Sequence, residues 1–244
     1  MITIPVKMTS HTWILDAIER SHARMRGKYA AQPLFSRPLW RDAEGNVLVE
    51  ENGQSRYVMV MYERPYMDTV AEMLCATRGD ILNVGFGCGL VDDAISARRP
   101  RSHTIVEAHE TVLQWMRERG LFERARVIAS RWEDMRWAEH KHAFDAAFFD
   151  HFPFLEHDGV APSERLVLWA EVVRHIVRPG GLCVAYGPSM TKDDALRILR
   201  SLRVPRLSLE ERRCVVEVPF VVTEWEHAGV GRHEVSIFGF RFPL

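Results

Sequence analysis

Between Pro65 and Leu202 the apolar positions switch repeatedly between the spacing of a helix face and short continuous runs. Residues 65–76 read as a helix, with Pro65 suited to its first turn. Residues 80–84 form a short buried strand that ends at a glycine cluster. A helix over about 90–98, a strand at 103–107 and a helix over about 109–119 follow, then strands at 125–129 and 144–149. Val167, Leu168, Val172, Val173, Ile176 and Val177 mark one face of a long helix, which Pro179-Gly180-Gly181 is expected to end. A strand at 182–186, a helix at 193–202 and two strands at 213–220 and 233–242 complete the series. Such alternation predicts an α/β fold: a mostly parallel sheet with helices on both faces, brought to seven strands by an antiparallel C-terminal hairpin.

The first part of the chain breaks this rhythm. Trp13, Ile14, Ala17 and Ile18, after the capping candidates Thr9 and Ser10, predict an amphipathic helix over about 10–28. Pro33 and Pro38 interrupt the pattern; 46–50 and 55–61 are strand-like around the hairpin signal Asn52-Gly53. No repeat, low-complexity stretch or Ser/Gly linker is present. The expectation is an N-terminal extension, 1–56, of helix and hairpin over the substrate pocket, followed by one domain, 57–244.

Composition narrows the partners. Lys+Arg (32) and Asp+Glu (33) nearly cancel among 244 residues, which gives no electrostatic case for nucleic acid or an anionic membrane. Residues 1–10 lack a signal-peptide pattern, and no apolar run approaches a membrane span, so a cytoplasmic location is expected. Cys75, Cys88, Cys183 and Cys214 fit no metal or redox spacing and read as reduced, mostly buried thiols.

The chemistry begins at Ile81-Leu82-Asn83-Val84-Gly85-Phe86-Gly87-Cys88-Gly89. Glycines after a first strand let the backbone turn sharply and approach a ligand closely. Glu107 ends the next strand, where a carboxylate can accept from ribose hydroxyls. Dinucleotide folds want a third glycine at position 90, but Leu90 stands there. The observed G-x-G-x-G spacing instead resembles the first motif of S-adenosylmethionine-dependent methyltransferases. Trp132-Glu133-Asp134 has two readings: a purine-packing Trp with an acid for the exocyclic amine, or a core Trp beside surface acids. Asp150 ends a parallel strand, at the edge where open α/β sheets bind ligands. Glu63, just before Pro65, is either a functional acid or an acid favoured by a helix N-terminus.

The segment 59–67, residues 83–90, Glu107-Ala108-His109, Trp132-Glu133-Asp134, Asp150 and Pro179-Gly180-Gly181 occur in an order similar to that of guanidinoacetate N-methyltransferases. They resemble the catalytic domain of the protein arginine δ-N-methyltransferases still more, since guanidinoacetate enzymes carry Glu where this chain has Asn83. The likeness spans roughly residues 57–187. It implies that Glu63 and Asp150 grip a substrate guanidine and serve as the catalytic acids. It also implies that Met59, Gly85, Phe86, Gly87, Cys88, Gly89, Leu90, Val91, Glu107, Ala108, His109, Trp132, Glu133 and Asp150 line S-adenosylmethionine, with S-adenosylhomocysteine as product and no metal. In guanidinoacetate enzymes, backbone N–H groups after the fifth strand hold the substrate carboxylate. The matching positions here are Pro188 and Ser189; the resemblance implies that Ser189 binds substrate, while the missing N–H of Pro188 disfavours guanidinoacetate itself.

The implied substrate is arginine or an arginine-derived small molecule, a natural-product intermediate included, and a homodimer is compatible with the sequence. The alternatives are an O- or amine-methyltransferase of another metabolite, and a non-catalytic nucleotide-binding protein. His140 and His142, with His151 and His157, lack a placeable third metal ligand and read as rim histidines. Glu224, Trp225, Glu226, Phe238, Phe240 and Phe242 read as core and edge positions of the last strands.

Overall fold

The computed structural model describes residues 37–51, 53–150, 162–188, 190–201, 204–220 and 229–244. The expected helix over 10–28, and the residues His151, His157, Ser189 and 224–226, lie outside them.

The described residues open with three short strands, β1 (Leu39–Arg41), β2 (Val47–Glu51) and β3 (Gln54–Met59), paired antiparallel as a separate sheet. The expected hairpin is β2–β3, turning at Gly53 with φ +76°; β1 was not foreseen, being only three residues long. The expected division at 56/57 falls inside β3.

After a 3-10 turn at Met61–Glu63 come helix α1 (Arg64–Leu74), β4 (Asp80–Val84), α2 (Leu90–Ala97), β5 (Ser102–Glu107), α3 (Glu110–Glu118), β6 (Arg126–Ala129) and β7 (Phe144–Phe149). Then follow α4 (Pro162–Ile176), β8 (Val177–Ala185), α5 (Lys192–Ser201), β9 (Ser208–Val218) and β10 (Gly231–Arg241). The main sheet has seven strands in the order β6-β5-β4-β7-β8-β10-β9. The first five run parallel, and β10 pairs antiparallel with both β8 and β9. The order reverses direction at β4, which places the β4 and β7 carboxyl ends at the crevice where such sheets bind ligands.

Residue alternation along the strands explains the two layers. Leu82, Val84, Val106 and Phe149 point to the face covered by α4 and α5, around fully buried Trp169. Trp169 stands edge-on to Phe149 and Phe240 at about 6 Å; truncating such a residue costs about 3–5 kcal/mol. Ile81, Phe148, Val184 and Ile237 point to the other face, under Tyr66, Val70 and Leu74 of α1 and Val91 and Ile95 of α2. Phe238 and Phe240 are core positions of β10, as expected.

One expectation fails. Pro179-Gly180-Gly181 does not end the long helix: α4 stops at Ile176, and the motif lies within β8. Pairing jumps from Phe144↔Val177 to Ala146↔Leu182, so residues 178–181 bulge out of the ladder. A proline without an N–H and Gly180 at φ +78° suit a bulge as well as a helix stop. Among the described residues no helix is long and apolar enough to cross a membrane.

Candidate active site

The loop joining β4 to α2 carries Gly85, Phe86, Gly87, Cys88 and Gly89. Gly85 N–H donates to the Val106 carbonyl at 2.8 Å and Gly89 N–H to the Phe86 carbonyl at 2.8 Å, which curls the loop tightly. Gly85 has φ +94°, and a Cβ built there would fall inside 3.0 Å of the Asp150 carbonyl oxygen, which real Cβ atoms essentially never do. At Gly87 the same construction meets Met59 Sδ at 2.8 Å and Asp150 Oδ2 at 4.0 Å. Met59, the glycine loop and Asp150 therefore meet around one point. Leu90 and Val91 begin α2 with side chains buried in the core, so any contact they make to a ligand at the loop is through their backbone.

Glu107, at the end of β5, accepts from three backbone N–H groups: Phe86 at 2.9 Å, and Ala108 and His109 at 2.7 Å each. One buried carboxylate thus clamps the glycine loop to the next strand while keeping a lone pair toward the crevice. His109 caps α3: its Nδ1 accepts from Thr111 N–H at 3.2 Å, so its Nε2, 3.0 Å from the Arg37 carbonyl, is the protonated nitrogen. Beneath the loop, Asn83 Nδ2 donates to the Gly85 carbonyl at 2.7 Å and to both Asp92 oxygens at 3.0 Å. Asp92 in turn lies 2.9 Å from His103 Nε2, with both side chains buried.

Trp132-Glu133-Asp134 forms a 3-10 turn after β6. Trp132 is 5% exposed and packs edge-on to Phe149 at 6.0 Å, which makes it a core residue. Glu133 is buried, with Arg131 Nε 3.8 Å away, and Asp134 is exposed.

Asp150 directly follows β7, its N–H donating to the Val84 carbonyl at 2.8 Å. Glu63 closes the 3-10 turn before α1 and is 7% exposed. The Tyr186 hydroxyl, at the end of β8, donates to Glu63 Oε1. Tyr66 stands edge-on to Tyr186 at 5.6 Å, and its hydroxyl accepts from Gly187 N–H at 3.2 Å. Burial raises the Tyr186 phenol well above its ordinary pKa, and the negative charges of Glu63 and Asp150 raise it further. Tyr66 responds in the same direction, with burial dominant and both acids adding. Burial, then the Glu63 charge, pushes the Cys88 thiol up to about 12, with Asp150 adding. The two acids are linked through Tyr186, whose hydroxyl donates to Glu63 while its N–H donates to the carbonyl of Phe149, the residue before Asp150. All four cysteines are unpaired thiols.

Of the residues singled out in the sequence, Met59, the glycine loop with Cys88, and Asp150 meet at the ends of β4 and β7, Glu63 reaches the neighbouring end of β8 through Tyr186, and Glu107, Ala108 and His109 hold the loop's far side. Trp132 and Glu133 sit beyond the end of β6. Tyr66, Tyr186 and Asn83 were not singled out as functional. Tyr186 carried a usable signal: like Asp150, it follows a parallel strand's carboxyl end. The residues fit an adenosyl-type ligand, because positive-φ glycines follow the first strand of the parallel sheet and the Glu107 carboxylate stands at the end of the next, the arrangement that binds a ribose and its neighbours.

A family model described as guanidinoacetate N-methyltransferase matches residues 36–192, more than half of the chain. A protein arginine N-methyltransferase 2 from Cryptococcus neoformans is 28% identical over 184 residues, which is 67% of this chain and 49% of that protein. The corresponding protein of Candida glabrata is 30% identical over 146 residues, 56% of this chain and 34% of its own length. The chain spans half or less of these curated relatives. Among solved structures, spermidine synthase in complex with the transition-state analogue AdoDATO matches with TM-score 0.53 and 14% identity, over 83% of this chain and 67% of that one. An S-adenosyl-L-methionine-dependent methyltransferase from Methanococcus maripaludis gives 0.51 and 10%, over 75% and 88%. The structural likeness shows a Rossmann-like class I methyltransferase fold, and the family match is more specific: the chain belongs to the guanidinoacetate N-methyltransferase family of S-adenosylmethionine-dependent enzymes.

Proposed function

We propose that this protein methylates a guanidine nitrogen of arginine or an arginine-derived small molecule, a natural-product intermediate among them. One observation carries the reading: Glu63 and Asp150, 87 positions apart in sequence (150 − 63), are brought to the same sheet edge by Tyr186, whose hydroxyl donates to Glu63 and whose N–H donates to the carbonyl of the residue before Asp150. Two carboxylates in one pocket repel each other, and a flat cation with several N–H donors relieves that repulsion. The relatives' printed name, protein arginine N-methyltransferase 2, supports the same chemistry.

A guanidinium has a pKa of about 12.5–13.8, and freeing its lone pair near neutral pH costs roughly 8 kcal/mol. S-adenosylmethionine would supply the electrophilic methyl for an in-line displacement. Asp150, beside Gly87 and Met59, is placed to accept the proton as the N–C bond forms. Glu63, on the pocket's other wall, fixes which nitrogen faces the methyl and balances the cation's charge; such orientation is worth several kcal/mol. Of the two positions matching the loop that holds the carboxylate of guanidinoacetate, Pro188 has no N–H to give, and the preceding Gly187 N–H already donates to Tyr66. That favours arginine-like substrates over guanidinoacetate.

The test is a methyl-transfer screen read by mass spectrometry with L-arginine, an arginine peptide, guanidinoacetate, a primary amine and a phenol. Transfer to a guanidine, lost in both Glu63→Gln and Asp150→Asn while calorimetry still detects S-adenosylhomocysteine, is expected. Transfer to the amine or phenol only, or turnover unchanged in both variants, refutes the proposal.

A further inference from the structure

Tyr186 touches both walls of the pocket. Its backbone N–H donates to the Phe149 carbonyl at 3.1 Å, and Phe149 immediately precedes Asp150. Its side-chain hydroxyl donates to Glu63. Asp150 N–H is fixed in turn to the Val84 carbonyl. The ends of β4, β7 and β8 thus form one rigid edge, and a single phenol reaches from that edge to the turn bearing Glu63.

We propose that Tyr186 is a positioning residue that sets the spacing between Glu63 and Asp150 for a guanidinium. The inference rests on the function proposed above and concerns the same site. Glu63 closes a 3-10 turn whose hydrogen bond to the Val60 carbonyl is long, at 3.4 Å, and its carboxylate accepts from the Tyr186 hydroxyl. Each rotamer of a glutamate gives a different separation from Asp150, and this bond selects among them. A guanidinium has fixed width, so only one separation presents the reacting nitrogen in line with the methyl donor. The phenol stays protonated well above its ordinary range, through burial first and the two carboxylates second, so it donates at every pH where those acids are ionised.

Tyr186 itself is held in place. Its ring stands edge-on to Tyr66 at an interplanar angle of 70°, and the next residue, Gly187, is tied to the Tyr66 hydroxyl. A Cβ on Gly187 would meet Met190 Cε at 2.8 Å, so the segment leaving Tyr186 is packed closely as well. These contacts fix the ring, and the ring fixes the carboxylate.

Tyr186→Phe tests this directly, because the ring and its packing remain and only the hydroxyl is lost. Both charges that bind the guanidinium also remain, so KM for the best guanidine of the screen should change by less than about threefold. Loss of geometry should lower kcat by roughly 10- to 100-fold. S-adenosylhomocysteine affinity by calorimetry and the midpoint of thermal unfolding should stay near those of the parent protein. Tyr66→Phe, which removes the Gly187 tie but leaves the Tyr186 hydroxyl in place, should give a smaller fall in kcat. A parent-like kcat in Tyr186→Phe alongside an inactive Glu63→Gln overturns the bridge and leaves the guanidine chemistry standing. A parallel loss of kcat, nucleotide affinity and thermal midpoint overturns it too, as the mark of a merely structural residue. Turnover by Glu63→Gln removes the function reading and this inference with it.

Discussion

Gly85→Ala is the sharpest test of how the glycine loop is joined to the substrate wall, and Gly53→Ala is its natural control. Both glycines have positive φ, +94° and +76°, so an alanine at either bears the left-handed backbone cost of about 1–2 kcal/mol. They differ in what the new methyl meets. Nothing lies within 4 Å at Gly53, whereas at Gly85 the Asp150 carbonyl oxygen lies inside 3.0 Å. That oxygen belongs to backbone, which cannot rotate aside as a side chain would. The carbonyl has to retreat by about 1 Å, an overpacking cost of about 1–3 kcal/mol. The retreat also strains the 2.8 Å bond from Asp150 N–H to the Val84 carbonyl, worth about 1 kcal/mol more. Gly85→Ala should therefore lose about 3–6 kcal/mol, and Gly53→Ala about 1–2. For a domain of this size each kcal/mol lowers Tm by about 2–4 °C, so thermal unfolding without ligand should separate the two by at least about 4 °C. Because the displaced backbone carries Asp150, the Gly85 variant should also lose methyl transfer beyond what its folded fraction explains. Equal midpoints for the two variants would refute the claimed contact.

Asp80 accepts from Arg101 and Arg178, and Arg101 and Arg178 also reach Asp145. The Arg101 hydrogen bond leads in holding the Asp80 pKa well below its ordinary value. A depressed folded-state pKa adds stability above the unfolded carboxylate range and loses it as pH falls, so the Tm deficit of Asp80→Asn should be largest near neutrality and shrink below about pH 4; the network is partly exposed, so the deficit should be only about 2–4 °C. Cys88, with its thiol pushed up to about 12, should react with a thiol reagent at pH 8 far more slowly than in urea-unfolded protein, and equal rates would contradict its burial. Asn46 Oδ1 accepts from Met61 N–H at 2.7 Å at the head of the turn bearing Glu63; Asn46→Ala should cost about 1–3 kcal/mol in denaturant unfolding and lower kcat more than nucleotide affinity.

The alternation of elements was legible because the central parallel strands are buried on both faces, the edge strand β6 excepted, and each helix on one. Apolar content then tracks structure almost residue by residue, as at 80–84 and 144–149. The Pro179-Gly180-Gly181 bulge was misread because a helix stop and a strand bulge ask for the same residues, and the choice depends on β7 lying alongside. Asp150 was marked by its place at a parallel strand's carboxyl end, but its pairing with Glu63 came only through resemblance, since neither shows its partner in sequence. Trp132 left two readings open, and the structure favours the core one: its neighbours include Phe149 and it is nearly all buried. Tyr186 escaped notice because a tyrosine ending a strand is also what any sheet edge could carry. Its role appears only when Glu63, 123 residues earlier, is brought beside it.

The small N-terminal sheet bears on the chemistry through its bonds more than through its coverage. Asn46 holds Met61 N–H, Gly45 lies beneath Cys88 with its carbonyl 3.8 Å from the thiol sulfur, and the Arg37 carbonyl meets His109. Arg41 stacks over Trp115 of α3 at 4.4 Å. These contacts reach the turn before Glu63, the glycine loop and the cap of α3, the three places where the β4–β5 edge meets what surrounds it. Asp42 holds the hairpin side of this arrangement, accepting from Glu44 and Asn46 N–H and from the Asn46 side chain. A strand pair fastened at three points behaves as a fixed wall over the described residues, because moving it would break several hydrogen bonds at about 1 kcal/mol each. Under the proposed function this sheet bounds the substrate side of the site, and the turn bearing Glu63 is held from two directions at once: by Asn46 through Met61 N–H, and by Tyr186 through the Glu63 carboxylate.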